Sequence, residues 1–263
     1  MSKNGGKPEL VGLLGSAWTL KARWALKSQE VKYNFIPYSP IFGAYWLRYK
    51  SGKWSGQLTT PILFTPNDGV LFESFDIAQW ADDHGNTAST PSLFPADKVE
   101  DIRRWNEASD TALYFARAQV YKLLAQNRAA RVSLLPPFMK ALGPLADAVS
   151  SWMLWQFSSK YADTTSTASI DKTRAVLKSL RAAIEENNGY VLGSFTYADI
   201  TMAVAVQVVA PVGPPFTKLS DDRREDLTNH ELQAEFGDLL TWRDAIFQKH
   251  FPKCASVLAA AAV

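Results

Sequence analysis

Apolar and polar positions change their rhythm along the chain. Residues 10–14 form a short apolar run closed by Gly15, after which Trp18, Ala22, Ala25 and Leu26 recur at helical spacing with Lys21, Arg23 and Lys27 between them, which predicts a strand, a turn and a helix. Residues 31–36 alternate apolar and polar positions and stop at Pro37, the pattern of a half-buried strand. The three elements make a βαβ unit, in which the strands run parallel and the crossover is right-handed.

Residues 39–57 are rich in aromatics and glycine and show no single period, so they are read as an irregular connection. Ile62, Leu63, Phe64 and Val70, Leu71, Phe72 then flank Thr65-Pro66-Asn67-Asp68-Gly69, whose Asp-Gly supplies the positive φ of a β-hairpin. Ser74 is expected to cap a helix carrying Ile77, Ala78, Trp80 and Ala81 that ends near His84 and Gly85. Residues 86–95 turn to Ser, Thr, Pro and Ala, the character of a linker. Beyond them the helical period takes over. Ile102, Trp105, Ser109, Ala112, Leu113, Ala116 and Val120 fall on one face of a long helix, and further helices are predicted at 132–161, 170–187, 196–210 and 232–249. The expected fold is an α/β domain over residues 8–85 followed by an all-α domain over residues 96–263.

Composition narrows the classes of function. With 263 residues, 47% hydrophobic and 21% charged, the chain has the makings of a folded globule. Its 28 Lys and Arg against 26 Asp and Glu leave a net charge of +2, too little to call for nucleic acid or an anionic membrane as partner. The single cysteine, Cys254, cannot close an internal disulfide and is read as a buried small hydrophobe. His84, His230 and His250 show none of the spacings of a zinc site, so no metal is expected. The uncharged run 200–217 is interrupted by Pro211, Pro214 and Pro215, which suits a buried helix with a proline stop better than a membrane span. Residues 1–7 carry no export signal, so a cytoplasmic protein is expected.

A βαβ unit followed by a hairpin and a helix, with Thr60-Pro61 entering the hairpin, is the order of elements in a thioredoxin-like domain; in that context Pro61 is read as cis. Ser16-Ala17-Trp18-Thr19-Leu20-Lys21-Ala22-Arg23, Thr60-Pro61-Ile62-Leu63, Leu71-Phe72-Glu73-Ser74-Phe75 and Thr196-Tyr197-Ala198-Asp199-Ile200 follow one another in an order and spacing that resemble the cytosolic glutathione transferases of serine type. Ala17 stands where many serine-type members carry proline, so the resemblance is to the superfamily rather than to one class. It implies a homodimeric detoxification enzyme with glutathione as co-substrate, acting on a hydrophobic electrophilic small molecule by conjugation, peroxide reduction, isomerisation or ether cleavage.

The resemblance also implies roles for residues, and each role has a physical rationale. Ser16, where a strand gives way to a helix, is the candidate catalytic group: its hydroxyl can donate to a bound thiolate while the positive end of the helix adds a favourable field. On position alone Ser16 reads first as a helix cap, and the accompanying motifs turn that reading to the catalytic one. Glu73 and Ser74 suit the ammonium and carboxylate of the γ-glutamyl end of glutathione. Thr60, just before Pro61, would pair its main chain with the cysteinyl part like an added strand. Lys50, Lys53 and Gln57 are candidates for the glycyl carboxylate. Trp18 and Tyr114 are assigned to the acceptor pocket. Tyr38, Phe42, Trp46, Phe115 and Tyr121 are read as either pocket or core, and Phe64 and Phe72 as either core or keys to a second copy. Thr196 and Asp199 form a capping box whose task is folding. The alternative reading is a non-catalytic protein of the same fold that binds or carries a ligand.

Overall fold

The computed structural model describes residues 6–86, 88–133, 135, 137–163, 168–217 and 219–251; Cys254 and the side chain of Phe42 lie outside this description. The N-terminal part runs β1 (Glu9–Gly12), α1 (Ala17–Ser28), β2 (Asn34–Pro37), α2 (Pro40–Ser51), β3 (Ile62–Phe64), β4 (Val70–Leu71) and α3 (Ser74–His84). The sheet order is β2-β1-β3-β4, with β1 parallel to β2 and antiparallel to β3, and β3 antiparallel to β4. This is the thioredoxin-like arrangement. Gly69, at φ +81°, closes the hairpin, and Thr65 clamps it: its N–H and hydroxyl both donate to the Gly69 carbonyl at 2.9 Å, while Asp68 N–H donates to its Oγ1 at 2.8 Å.

Alternation along the strands sends neighbours to opposite faces. Leu10 and Leu63 pack with Ala22 and Leu26 of α1 and Ile77 and Ala81 of α3. Val11 and Ile62 pack on the other face with Leu47 of α2 and with Leu58.

The helical part comprises α4 (Val99–Gln126), α5 (Arg128–Ser133), α6 (Pro137–Lys140), α7 (Pro144–Lys160), α8 (Ile170–Glu186), α9 (Tyr197–Ala205) with a 3-10 turn at Val206–Val208, α10 (Asp221–Asp226) and α11 (His230–His250). Every residue of α9 is buried, and its apolar side chains form the centre of a large core with Trp24, Phe75, Leu113, Leu177 and Phe247. Among the described residues no helix is long and apolar enough to cross a membrane.

Four expectations need correction. Residues 39–57 are not irregular throughout: Pro40 starts α2 at its first turn, where a missing N–H costs nothing. The helix was hidden because Tyr45 and Tyr49, 82% and 78% exposed, put aromatics on its wet side, while Leu47 is buried. Ser74 does not cap α3; it is the first helical residue and is buried, and the preceding Glu73 is the cap position with no side-chain hydrogen bond. The single helix predicted over 132–161 is broken into separate pieces by Pro137, Gly143 and Pro144. The linker expected over 86–95 is no loose spacer at its end, because Leu93 and Phe94 are buried in the core and their N–H groups donate to the Asp82 carboxylate at 2.6 and 3.2 Å.

Two buried polar devices hold the fold, one inside the helical part and one between the two parts. The first is the capping box of α9: the Asp199 carboxylate accepts from the N–H groups of Thr196 and Val191, each at 2.8 Å, and the Thr196 hydroxyl accepts from Ala198 N–H. Burial pushes the Asp199 carboxyl up to about 6 against the pull of these donors. The second is Lys21 of α1, which is fully buried; its ammonium donates to Asn106 Oδ1 at 3.2 Å, to Ser109 Oγ and to Asp110 Oδ1 at 2.8 Å on α4. Ser109 is tied in turn to Thr201 of α9 at 2.6 Å. Burial pushes the Lys21 amine below the usual lysine range, and Asp110 opposes that fall.

Removing the Asp199 carboxylate leaves buried N–H groups unsatisfied. Asp199→Ala is therefore expected to cost about 2 kcal/mol or more, a drop of about 5 °C in Tm for a chain of this size; an unshifted melt contradicts the assignment. Asp110→Asn keeps the shape and removes the countercharge of Lys21, with an expected cost of about 3 kcal/mol near neutral pH. Because the folded Lys21 pKa lies below the unfolded one, the unfolded chain binds more protons in that window and stability rises with pH there. The window widens towards neutral pH in the variant, so its penalty shrinks as pH climbs towards the free lysine value. Urea unfolding at neutral and alkaline pH checks this, and a penalty independent of pH contradicts it.

Candidate functional site

The turn from β1 to α1 sets the first group in place. Gly15 adopts φ +92°, and Ser16 N–H closes the turn on the Leu13 carbonyl at 3.1 Å. Ser16 is the N-cap of α1, where its Oγ accepts from Thr19 N–H at 3.4 Å, long for a hydrogen bond. Accepting that contact leaves the hydroxyl proton of Ser16 able to donate elsewhere.

Ser16 opens onto a cavity of about 1090 Å³ lying between the sheet-bearing part and the helical part. Thr60 and Pro61, joined by a cis peptide bond, line it, as do Glu73 and Ser74 at the start of α3 and Gln57 in the loop before β3. The N-terminus of α3 has no side-chain cap, so its first N–H groups offer an anion site of the ordinary helix-start kind. Partial desolvation, then the carboxylates of Asp76 and Asp110, push the Glu73 carboxyl up, and Lys53 works against them. Glu73 nevertheless keeps much of its surface open, which limits the size of that effect.

The loop carrying Gln57 and Lys53 is folded by a residue that the sequence pattern did not single out. Arg48 donates to the carbonyls of Lys53, Trp54 and Gly56 at 3.0, 3.1 and 3.0 Å, drawing the chain into a tight arc. Lys53 lines the cavity with its ammonium 4.8 Å from the Phe72 ring centre, and the Gln57 amide donates to the Lys160 carbonyl on α7. Lys50 points elsewhere: it is paired with Glu9 and lies over Trp46 and Phe64.

Across from these groups, Trp18 and Tyr114 stack with ring centres 5.9 Å apart and 27° between planes, and both line the cavity. Trp18 Nε1 donates to Asp110 Oδ1 at 2.9 Å, the same oxygen that Lys21 holds. Tyr38 and Tyr121 also line the cavity, whereas Phe115 is buried core and Trp46 faces solvent. Phe64 and Phe72 are half-buried against the core under α2, and Phe72 reaches the cavity.

The far wall comes largely from the stretch 134–167, whose extra length pointed to the acceptor pocket, although none of its residues was singled out. Ser150, Met153, Leu154 and Phe157 of α7 line it at helical spacing together with Lys160 and Tyr161, and Arg117 joins them from α4. The signal was present as Arg117 three residues after Tyr114 on one helix face, but a single arginine in a long amphipathic helix reads as solvated surface. Burial holds the hydroxyls of Tyr38, Tyr114 and Tyr161 above the usual phenol range and pushes Tyr121 up to about 12. All four therefore remain neutral donors near neutral pH. Among the described residues no group of three or more His, Cys, Asp or Glu could hold a metal ion.

Residues 15–84 match the family described as glutathione S-transferase, N-terminal domain. No curated protein matches the chain by sequence. Among solved structures, a beta-etherase, LigF, from Sphingobium sp. strain SYK-6 is 17% identical with a TM-score of 0.60, covering 93% of this chain and 96% of its own. A glutathione transferase, GSTFuA2, from Phanerochaete chrysosporium is 18% identical with a TM-score of 0.60, covering 94% and 99%. A glutathione S-transferase from Methylobacillus flagellatus with bound glutathione is 15% identical with a TM-score of 0.54, covering 92% and 95%. The chain as a whole thus has the fold of these solved glutathione transferases, and its residues 15–84 resemble a glutathione S-transferase N-terminal domain.

Proposed function

We propose that the chain is a glutathione transferase in which residues 8–85 bind glutathione, residues 96–263 bind an electrophile, and the Ser16 hydroxyl holds the glutathione sulfur as a thiolate. The observation that carries this reading is the sharing of one cavity by Ser16, Thr60, Pro61, Glu73 and Ser74 on one side and the aromatic faces of Trp18 and Tyr114 on the other. The glutathione bound in the related fold from Methylobacillus flagellatus supports the same choice of thiol.

The chemical task is thiol activation followed by placement. A free thiol is only about 3% thiolate near neutral pH, and lowering its pKa by about two units makes most of it nucleophilic at a cost of about 2.7 kcal/mol in preferential stabilisation. A hydrogen bond from a hydroxyl to a charged sulfur supplies about 1.5–3 kcal/mol, and the N-terminus of α1 adds up to about 1 kcal/mol. In this reading the γ-glutamyl carboxylate sits at the uncapped start of α3, its ammonium faces Glu73, and the cysteinyl amide pairs with the main chain of Thr60. Lys53, not Lys50, is the cation available to the glycyl carboxylate. The thiol proton leaves to solvent, the sulfur forms its bond to the electrophilic carbon, and the leaving group departs with the bonding electrons. Holding both partners in one cavity supplies the rest through proximity.

Ser16→Ala is expected to slow conjugation of a generic aromatic electrophile by about ten- to a hundredfold. The melt should hardly move, since the cap contact to Thr19 is long. That contact is also what favours the second reading, a ligand-binding protein of the same fold with no activated thiol. Glutathione binding by calorimetry combined with turnover indifferent to Ser16→Ala would select the second reading.

A further inference from the structure

Among the described residues five cations, Lys53, Arg117, Lys122, Arg131 and Lys160, line the cavity against two carboxylates, Glu73 and Asp226. Arg117 and Lys160 line it beside the rings that face an acceptor. The Arg117 guanidinium is half-buried and lies 4.1 Å from the ring centre of Tyr161, 5.0 Å from Trp18 and 5.1 Å from Tyr114. Three rings thus surround one planar cation, from α1, from α4 and from the chain just past α7. Lys160 sits next to it, with its ammonium 5.2 Å from the same Tyr161 ring and donating to the Leu58 carbonyl.

Burial pushes the Arg117 guanidinium down, against the opposing pull of the neighbouring tyrosines and of Asp110. The Lys160 amine is pushed down by burial and then by the nearby cations Arg48 and Arg117. Like charges held on one desolvated wall raise each other's energy, and an anion placed between them lowers it. The surrounding rings present flat apolar faces, so the shape that fits beside this positive wall is itself flat. A guanidinium also matches the two oxygens of a carboxylate in a way that an ammonium does not.

We propose that this cavity takes a planar aromatic acceptor bearing a carboxylate, held by Arg117 with Lys160 beside it, in preference to a neutral aromatic of the same shape. The proposal rests on the transferase reading only in treating that molecule as the substrate to be conjugated.

The test uses the full chain with saturating glutathione and two acceptors of one reactive core, chlorodinitrobenzene and chlorodinitrobenzoate. In both, the sulfur bonds to the ring carbon that carries chlorine, chloride leaves with the electron pair, and the thiol proton goes to solvent. The readout is the ratio of kcat/KM for the two, each corrected for its uncatalysed rate. The wild-type ratio should favour the benzoate by about tenfold or more, chiefly through KM. Arg117→Gln should lower that ratio by about tenfold, and Arg117→Lys should keep a larger share of it. A wild-type ratio near one, or a ratio unaltered in Arg117→Gln, overturns the proposal. The wild-type comparison stands even if the variant does not fold. If neither acceptor is consumed, the transferase reading has failed and this one is decided by binding alone: dinitrobenzoate against dinitrobenzene, read by quenching of tryptophan fluorescence. Tighter binding of the benzoate upholds it, and equal affinity overturns it.

Discussion

A fully buried ammonium cannot be left without acceptors, and the way Lys21 is satisfied fixes the geometry of everything around the cavity. Its partners, Asn106, Ser109 and Asp110, all belong to α4. Trp18, one turn earlier on α1, donates to the same Asp110 oxygen. Two donors on one face of α1 meeting one carboxylate on α4 set the rotation of α1 about its axis and its height along α4. Ser16 precedes Trp18 by two residues, so the same contacts fix where its hydroxyl opens. Tyr114 and Arg117 follow Asp110 by one and two turns of α4, which carries the acceptor wall in register with Ser16. A buried pair of this kind adds little stability over a well-packed apolar substitute, yet breaking it on one side is costly. Its contribution here is alignment.

The cavity then divides into two chemistries. One end offers hydrogen-bond donors, a carboxylate and a helix start, suited to a small zwitterionic peptide. The other offers neutral phenols, an indole and cations set among rings. The four tyrosines remain protonated because burial disfavours phenolate, so the wall donates hydrogen bonds without adding negative charge. Ser16 lines the same cavity as both.

Much of the frame was legible because each piece had a local signature. The hairpin was announced by Asp68-Gly69, the α9 cap by Thr196 and Asp199, and the switch from alternating to helical periodicity placed the two parts. The resemblance carried by Ser16, Thr60-Pro61 and Glu73-Ser74 brought together residues that do share one cavity. What stayed hidden was non-local. α2 escaped notice because Tyr45 and Tyr49 blur its apolar face, and the placement of Leu93 and Phe94 depends on Asp82 reaching across to their N–H groups. Lys21 looked like one of the polar positions that, with Arg23 and Lys27, separate the apolar ones of α1; only the meeting of α1 with α4 buries it. Arg117 was hidden for the same reason, since the rings that enclose it come from residues 18, 114 and 161.

The central claim is that this fold lowers the pKa of a bound thiol, and the most direct measurement is the thiolate absorbance near 240 nm of the protein mixed with reduced glutathione, titrated against pH and corrected for each component alone. The account predicts a bound thiol that titrates about two units below the free value of about 8.5 in the wild-type chain, with most of that shift lost in Ser16→Ala. A bound thiol that titrates at the free value in the wild type would contradict it.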